Sequence, residues 1–371
     1  MKRQYLILFI AFWSCSKSTP PLASEPDVYF PCVNIKDFGA VGNGLADDTH
    51  AFDLAMHIAD SLKLPVYVPV GIYKARVQLS HDSLRIIGQR QPGADVTSGS
   101  IVLGLIDCNY KKYVSVENIG IDSRGQLRAT DDAALTSGVY ANSLVLHQQF
   151  KNISMIGDGY MAFKHGLLCS VGSDIIIRNV TVSLFYHGIA IRSSNVSIDS
   201  VYAYNCGFTS IVVKSDQGDN ILTENVSINH VFIKGDPNDA YNRGGAVMIT
   251  SYADPASITR NVTVQNVHST YGGVACVLVY QNNGLVDNVS IQDCASEGQG
   301  DSNIRACYDV DGGSNITFTN CTATNSNGYG FRSIGSVNNI KVVNCFESNS
   351  GAGNWIGTYK YLQLNGIEII K

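Results

Sequence analysis

The phrase Asn225-Val226-Ser227-Ile228 recurs along the chain in seven close variants. The eight phrases begin at Asn152, Asn179, Asn195, Asn225, Asn261, Asn288, Asn315 and Asn339. Successive starts differ by 27, 16, 30, 36, 27, 27 and 24 residues. Spacings of about 20 to 50 residues with variable insertions are typical of solenoids and propellers. Apolar and polar residues alternate within each phrase, as in a β-strand with one buried face.

The segments between the phrases favour the solenoid. Most phrases follow a second short apolar run, such as Gly188-Ile-Ala-Ile191 or Ala246-Val-Met-Ile249, and no helical pattern separates the two. Without crossover helices, successive copies are expected to stack as parallel strands. We therefore predict an all-β parallel β-helix, built from a single chain as a solenoid.

Stacked coils place equivalent residues above one another, so the repeats predict columns. The residues six positions after the later phrase asparagines are expected in one buried column: Val201, Val231, Val267, Cys294, Cys321 and Cys345. The residues one position earlier are expected in a polar turn ladder that includes Asn266, Asp293, Asn320 and Asn344. The same reasoning interprets the phrase asparagines as turn residues and not as glycosylation acceptors.

The ten cysteines show neither a CxxC motif nor a Cys/His metal spacing. Several occupy core-column positions, where cysteine behaves as a small hydrophobe. We expect mostly free buried thiols, and a bridge between Cys294 and Cys321 stays open. No metal site and no cofactor are predicted; calcium is indicated by no motif, and a requirement for it stays open.

The first residues have the pattern of a targeting signal. Lys2 and Arg3 precede the apolar run 5–13, which is shorter than the roughly 20 residues that span a bilayer. With Ser14-Cys15 and a polar tether after it, this start resembles a bacterial lipoprotein signal, although Phe12 and Trp13 are bulkier than usual there. The resemblance implies a signal peptide over 1–14 and a lipidated Cys15 with its tether over 15–31. Simple secretion remains the alternative.

The location implied is the envelope of a Gram-negative-type bacterium, on the periplasmic or outer surface, with the membrane contacted through the lipid only. The charge balance argues against a nucleic-acid partner, because 26 Lys and Arg stand against 31 Asp and Glu, a net charge of −5. The sequence does not indicate an oligomeric state.

The stretch before the repeats carries a family resemblance. It reads Val33-Asn-Ile-Lys-Asp-Phe-Gly-Ala-Val-Gly-Asn-Gly-Leu-Ala-Asp47-Asp48-Thr-His-Ala-Phe52. Asp47 and Asp48 are predicted to be N-cap residues of a short helix that closes the first coil. The stretch resembles the opening of the pectate-lyase superfamily, which includes rhamnogalacturonase and epimerase-like proteins. This resemblance implies a right-handed β-helix, with an N-terminal cap and first strands over 32–83, coils over 84–350 and a C-terminal cap over 351–371.

The resemblance implies action on a polysaccharide but leaves the reaction open. Polygalacturonases place carboxylates and a Gly-His-Gly at the starts of successive groove strands. Here the corresponding entries read Phe163-Lys-His-Gly166, Phe185-Tyr-His-Gly188 and Gly207-Phe-Thr-Ser210, without carboxylates. The candidate residues at these entries and the strand ends beside them are basic or aromatic: Lys164, His165, Tyr186, His187, Arg192, Lys214 and, farther along, Arg243.

This set fits β-elimination on a glycan that contains uronic acid. Elimination needs a cation for the uronate, a base for the C5 proton and an acid for the leaving oxygen. We predict Lys164, His165, Tyr186 and His187 as catalytic, with Arg192, Lys214 and Arg243 binding substrate. In-register stacking would set His165 and His187 about 5 Å apart. If His165 and His187 are buried, or lie on different faces of the β-helix, this elimination assignment fails, and attention moves to the aspartates of the first alternative below.

Two alternatives stay open. The first is a glycoside hydrolase with paired carboxylates, for which the candidates are Asp216, Asp219, Asp236 and Asp239. These residues lie in polar insertions, which often line the binding face of a solenoid. The second is a β-helix that binds glycan or serves a structural role at the surface without catalysis.

The lipoprotein interpretation gives the first testable prediction. Cys15→Ser should move the protein from the membrane fraction to the soluble fraction, because acyl chains would supply the anchoring. Fractionation of cells that express each form measures this. An unchanged membrane fraction, or a mature N-terminus found by mass spectrometry beyond Cys15, would contradict it.

Overall fold

The computed structural model describes residues 31–90, 97–124, 138–141, 145–159, 165–215, 222–235, 245–252, 254–271, 275–298, 306–326, 328–349, 356–357 and 362–365. The expected signal peptide and Cys15 lie outside these residues, so lipidation stays a prediction. Within the described ranges, every helix is too short or too polar to cross a membrane.

The described residues form one α-helix, α1 (Thr49–Leu62), one 3-10 helix (Ile35–Phe38) and 26 strands. The strands before His165 are β1 Val33–Asn34, β2 Asn43–Asp47, β3 Val66–Val68, β4 Gly71–Gln78, β5 Arg85–Gly88, β6 Ser100–Asp107, β7 Ser115–Glu117, β8 Gly120–Asp122, β9 Val139–Ala141, β10 Val145–Leu146 and β11 Gln149–Ile156. The remaining strands are β12 His165–Ser183, β13 His187–Tyr204, β14 Thr209–Ser215, β15 Leu222–Lys234, β16 Gly245–Tyr252, β17 Ile258–Thr270, β18 Ala275–Asn282, β19 Leu285–Gln292, β20 Ala295–Glu297, β21 Ala306–Thr319, β22 Thr322–Thr324, β23 Tyr329–Val343, β24 Phe346–Ser348, β25 Ile356–Gly357 and β26 Leu362–Asn365.

These strands build the predicted right-handed parallel β-helix. Each strand pairs in parallel with its equivalent in the next coil, so that Val201 lies beside Val231 and Val231 beside Val267. The parallel pairing starts with β1 against β3, before residue 84, and continues after residue 350, where β25 and β26 pair with β23.

The core fills the interior of the coils. All six residues of the predicted column are buried, from Val201 at 0% exposure to Cys345 at 5%. Cys294 and Cys321 are free thiols, as are the other cysteines of the described part. A hydrogen bond with the Cys294 thiol, together with burial, raises the pKa of Cys321 to about 12, so this thiol stays protonated.

The corners between strands are made by residues in the left-handed conformation. The phrase asparagines have φ between 51° and 57°, a region that asparagine tolerates better than most residues. At one corner, Asn225 Nδ2 donates to Asn195 Oδ1 at 2.9 Å, and Asn261 Nδ2 donates to Asn225 Oδ1 at 3.0 Å. The phrase asparagines are therefore turn residues, as predicted, and they also form an amide ladder along the axis of the β-helix.

The eight phrases occupy two different corners, which corrects their treatment as one repeat series. Asn179 lies in register with Ser200, because its neighbours Arg178 and Val180 pair with Asp199 and Val201. Asn195 instead stacks on Asp174, to which it donates a hydrogen bond of 3.2 Å. The irregular spacing of 16 residues between Asn179 and Asn195 is thus a step from one corner to the other.

The N-terminal cap differs in detail from the prediction. Asp48 is at the N-cap of α1, but its carboxylate makes no hydrogen bond to the helix. It accepts instead from the amides of Val41 at 2.7 Å and Gly42 at 3.2 Å. Asp47 accepts from the Thr49 amide at 3.0 Å. The buried Asp48 therefore fastens the glycine turn to the start of the helix.

The corner ladder gives a stability prediction. Asn225→Ala should lower the free energy of unfolding by about 1–2 kcal/mol, because alanine is strained at φ 57° and loses both ladder hydrogen bonds. Asn225→Gly loses the same bonds without the backbone strain and should be less damaging. Urea denaturation of both variants measures the difference; an alanine variant as stable as the glycine variant would show that backbone strain plays no part.

Candidate functional site

The candidate site lies on one sheet of the β-helix, which we call the groove face. It consists of 165–170 of β12, 187–192 of β13, β14, β16, β18, 306–311 of β21 and 329–334 of β23, paired in that order. Leu167, Ile189 and Ile211 are in register and belong to the central core. Alternate residues therefore point outward and form rows across the coils.

The first outward row is apolar. Leu168, Ala190, Val212, Met248 and Leu278 are in register, and each is at most 7% exposed. They form a cluster separate from the central core, with Ala275 in it and Phe208 and Tyr280 packed against it. The floor of the groove face is therefore apolar and close-packed.

The two predicted histidines do stack in register at the start of these strands. His165 pairs with His187, and their ring centroids are 5.2 Å apart with an interplanar angle of 5°. Thr209 continues the column, and its hydroxyl is 2.5 Å from His187 Nδ1. The spacing of 22 residues between successive members of this column is a signal in the sequence that also identifies Thr209.

Both histidines are buried, at 4% exposure for His165 and 9% for His187. His165 Nδ1 has no hydrogen-bond partner among the described residues. Burial, with the nearby charges of Arg192 and Lys214, lowers the pKa of His165 to about 3. Burial, the adjacent His165 and the charges of Lys214 and Arg192 hold the pKa of His187 well below its usual value. This burial argues against either histidine as the base that meets the substrate.

Two cations lie on the outward row next to the apolar floor. Arg192 and Lys214 directly follow the paired residues Ile191 and Val213, so they lie on adjacent strands. Both are partly exposed, and the Lys214 ammonium is 5.9 Å from the centroid of the Tyr252 ring. The chain therefore brings two of its predicted substrate-binding residues together.

A group of aromatic side chains borders the cations. The partly exposed Tyr186 stacks on Phe208 with ring centroids 5.1 Å apart, and its ring lies edge-on to His187 at 4.7 Å. Burial, together with Tyr252, raises the pKa of Tyr186, which therefore keeps its proton at neutral pH. Tyr252 is not apparent from the sequence, because the insertion 236–244 removes the fixed spacing that marks the histidines.

A buried ion pair occupies the far end of the apolar row. Arg332 Nε donates to Asp309 Oδ1 at 2.8 Å, and Arg332 Nη2 donates to Asp309 Oδ2 at 2.6 Å. Asp309 is fully buried and lies in register with Leu278. The strand of Asp309 lies four strands away from the strand of His187, a separation of about 19 Å along the axis of the β-helix. Single residues on distant coils give no motif, so sequence reasoning did not find this pair.

Several predicted site residues lie outside the described residues: Lys164, Arg243, Asp216, Asp219, Asp236 and Asp239. Their roles stay predictions. Among the residues that are described, there is no group of three or more His, Cys, Asp or Glu side chains that could hold a metal ion.

Solved structures with the same fold belong to proteins of different functions. The chain is 14% identical to PfbA, a surface adhesin of Streptococcus pneumoniae, with a TM-score of 0.62 over 90% of this chain and 93% of that one. A polygalacturonase from Erwinia carotovora is 13% identical, with a TM-score of 0.60 over 95% of this chain and all of that one. The A-module of a mannuronan C-5 epimerase from Azotobacter vinelandii is 15% identical, with a TM-score of 0.54 over 90% and 100%. At these identities the likeness shows the fold.

No curated protein sequence matches the chain. A family model does match, over residues 32–298, which is well over half of the chain and includes the N-terminal cap and the two histidines. The chain belongs to the rhamnogalacturonase A/epimerase, pectate lyase-like family.

Proposed function

We propose that the groove face binds a uronate-containing glycan. Because both histidines are buried, the predicted histidine-based elimination is withdrawn, and we propose β-elimination with Lys214 as the base. The observation that carries this is the placement of Arg192 and Lys214 on adjacent strands, beside Tyr186 and Tyr252. Cationic side chains in a partly desolvated groove attract carboxylates, while the negative net charge of the chain keeps it soluble. Family membership supports a carbohydrate ligand.

In this proposal the partly exposed side chains of Lys214 and Tyr186 carry out the proton transfers. Arg192 would pair with the uronate and stabilise the charge that develops when C5 loses its proton. Lys214 would first release its ammonium proton to solvent and then accept the C5 proton as an amine. The C4–O bond then breaks, a C4=C5 double bond forms, and the leaving oxygen takes the proton of Tyr186. The raised pKa of this phenol suits it to the role of the acid.

The histidines would then act as positioning residues. Their low pKa values keep both rings neutral, so they add no charge that would compete for the uronate. The edge of Tyr186 lies against His187, which is fixed by Thr209. In this proposal, loss of either ring disturbs the fold of the groove before it affects chemistry.

A second candidate is glycan binding without cleavage. Burial of both histidines and the tie of Asp309 to Arg332 favour it, because these groups are then withdrawn from a substrate. Hydrolysis by Asp216 and its neighbours is the remaining outcome; Asp216 directly follows the last residue of β14. We keep the lipid on Cys15 and a cell-envelope location as proposals.

An activity assay separates these reactions. With a panel of pectic and alginate polysaccharides, elimination produces both new reducing ends and unsaturated-uronate absorbance, whereas hydrolysis produces only the reducing ends. Tyr186→Phe should lower turnover about a hundredfold with an unchanged thermal midpoint, and Tyr202→Phe, which alters an exposed phenol on another sheet, should have no effect. Binding without either product would support the second candidate.

His187→Ala tests the roles within the site. We expect a lower thermal midpoint, because the buried stack with His165 and the contact to Thr209 are lost. A hundredfold loss of turnover at an unchanged midpoint would instead assign the base to this histidine and remove it from Lys214.

The neutral histidines also predict a pH dependence of stability. The pKa of His165 is about 3 in the folded protein and 6.5 in the unfolded chain, so below pH 6.5 the unfolded chain binds the extra proton. The free energy of unfolding should therefore fall as the pH drops, by about 2 kcal/mol between pH 7 and 5 for this residue.

Urea denaturation at pH 7 and pH 5 measures this fall. His165→Gln should reduce the difference between the two pH values, and His50→Gln, at an exposed position on α1, should leave it unchanged. An equal pH difference in wild type and His165→Gln would contradict the burial of a neutral ring.

A further inference from the structure

We propose that a second carbohydrate-binding subsite lies on a different sheet from the groove face and takes a single hexopyranose residue. It is a shallow cleft of about 370 Å³ across β5, β7 and β11. Its lining residues are Arg85, Tyr113, Val114, Ser115, Glu117, His147, Gln149 and Lys151. This inference does not depend on the function proposed for the groove face.

The cleft has an aromatic platform at its edge. Tyr113 is 56% exposed, and one face of its ring stacks on His147 with centroids 4.8 Å apart and an interplanar angle of 12°. Both residues occupy corner positions with positive φ, 57° and 51°, so the backbone fixes their directions. His147 lies 3.5 Å from Asp174, the next member of the same corner.

The other face of the Tyr113 ring is not covered by the equivalent residue of the preceding coil, Ser83. Ser83, Tyr113 and His147 each stand two positions before the in-register residues Arg85, Ser115 and Gln149. Ser83 has the same corner conformation, with φ 62°, and it is exposed. Because a serine is too small to cover the ring, this apolar face is available to a ligand.

Polar side chains line the same cleft as the Tyr113 ring. The Arg85 guanidinium is 54% exposed and stands 3.8 Å from the Glu117 carboxylate, which also accepts from the Ser115 hydroxyl. Lys151 is held by Gln149 at 2.6 Å. The loose Arg85–Glu117 pair leaves donors and acceptors on both side chains for a ligand.

A pyranose ring matches this combination. It presents a face of C–H groups to an aromatic ring and a rim of hydroxyls to planar charged groups, and ligand sites commonly combine aromatic surface with a few placed polar groups. The volume is at the small end of ligand sites, so it holds one residue of a chain and not a long segment.

The test separates the two sheets by mutation. Arg192→Ala/Lys214→Ala removes the cations of the groove face and leaves the cleft intact. Ligand-observed NMR titrations of this double variant with trigalacturonate and with cellotriose should still detect binding of at least one probe. Adding Tyr113→Ala should weaken that binding at least fivefold, and adding Arg85→Ala should weaken it as well.

Tyr202→Ala in the same background is the matched control, since it removes an exposed tyrosine from a different sheet. Absence of binding by both probes in the double variant overturns the subsite, as does binding that Tyr113→Ala leaves unchanged. Failure of the groove-face proposal would have a different signature, namely wild-type affinity that Arg192→Ala/Lys214→Ala does not alter.

Discussion

The fold depends on a backbone constraint at the coil corners. Each coil must change direction between flat strands, and the residue at the turn adopts positive φ, which most side chains resist. Asparagine tolerates this conformation and also passes an amide hydrogen bond from coil to coil, as Asn225 does between Asn195 and Asn261. The corners thereby hold successive coils in register, and the register in turn stacks His165 on His187.

Much of the fold could therefore be predicted from the sequence. The recurring asparagine phrases indicate the corners, and the alternation of apolar residues after them indicates which side chains enter the core. The column from Val201 to Cys345 is buried as predicted. The sequence did not separate the two corners, because the same phrase suits both: Asn179 and Asn195 look alike but lie in different columns. The carboxylate of Asp48 was also misassigned, since a local cap and a longer-range turn contact use the same residue.

Less of the site could be predicted. The equal lengths of two successive coils predicted that the histidines would stack. The basic residues at the strand ends predicted Arg192 and Lys214 as members of the site. The burial of the histidines could not be predicted from the sequence. An outward position next to an apolar row is covered by neighbours such as Phe208 that belong to other coils. Pairs such as Asp309 and Arg332 depend on register across coils of unequal length, which no local pattern reveals.

The two coils that carry the histidine column have a consequence for how such a molecule can change over evolutionary time. Residues 165–186 and 187–208 are each 22 residues long and begin with a histidine followed by glycine. Duplication or loss of one whole unit would preserve every corner and every column while altering the length of the sheet by about 4.8 Å. Length can thus be varied in discrete steps through unequal recombination, without redesign of the interior.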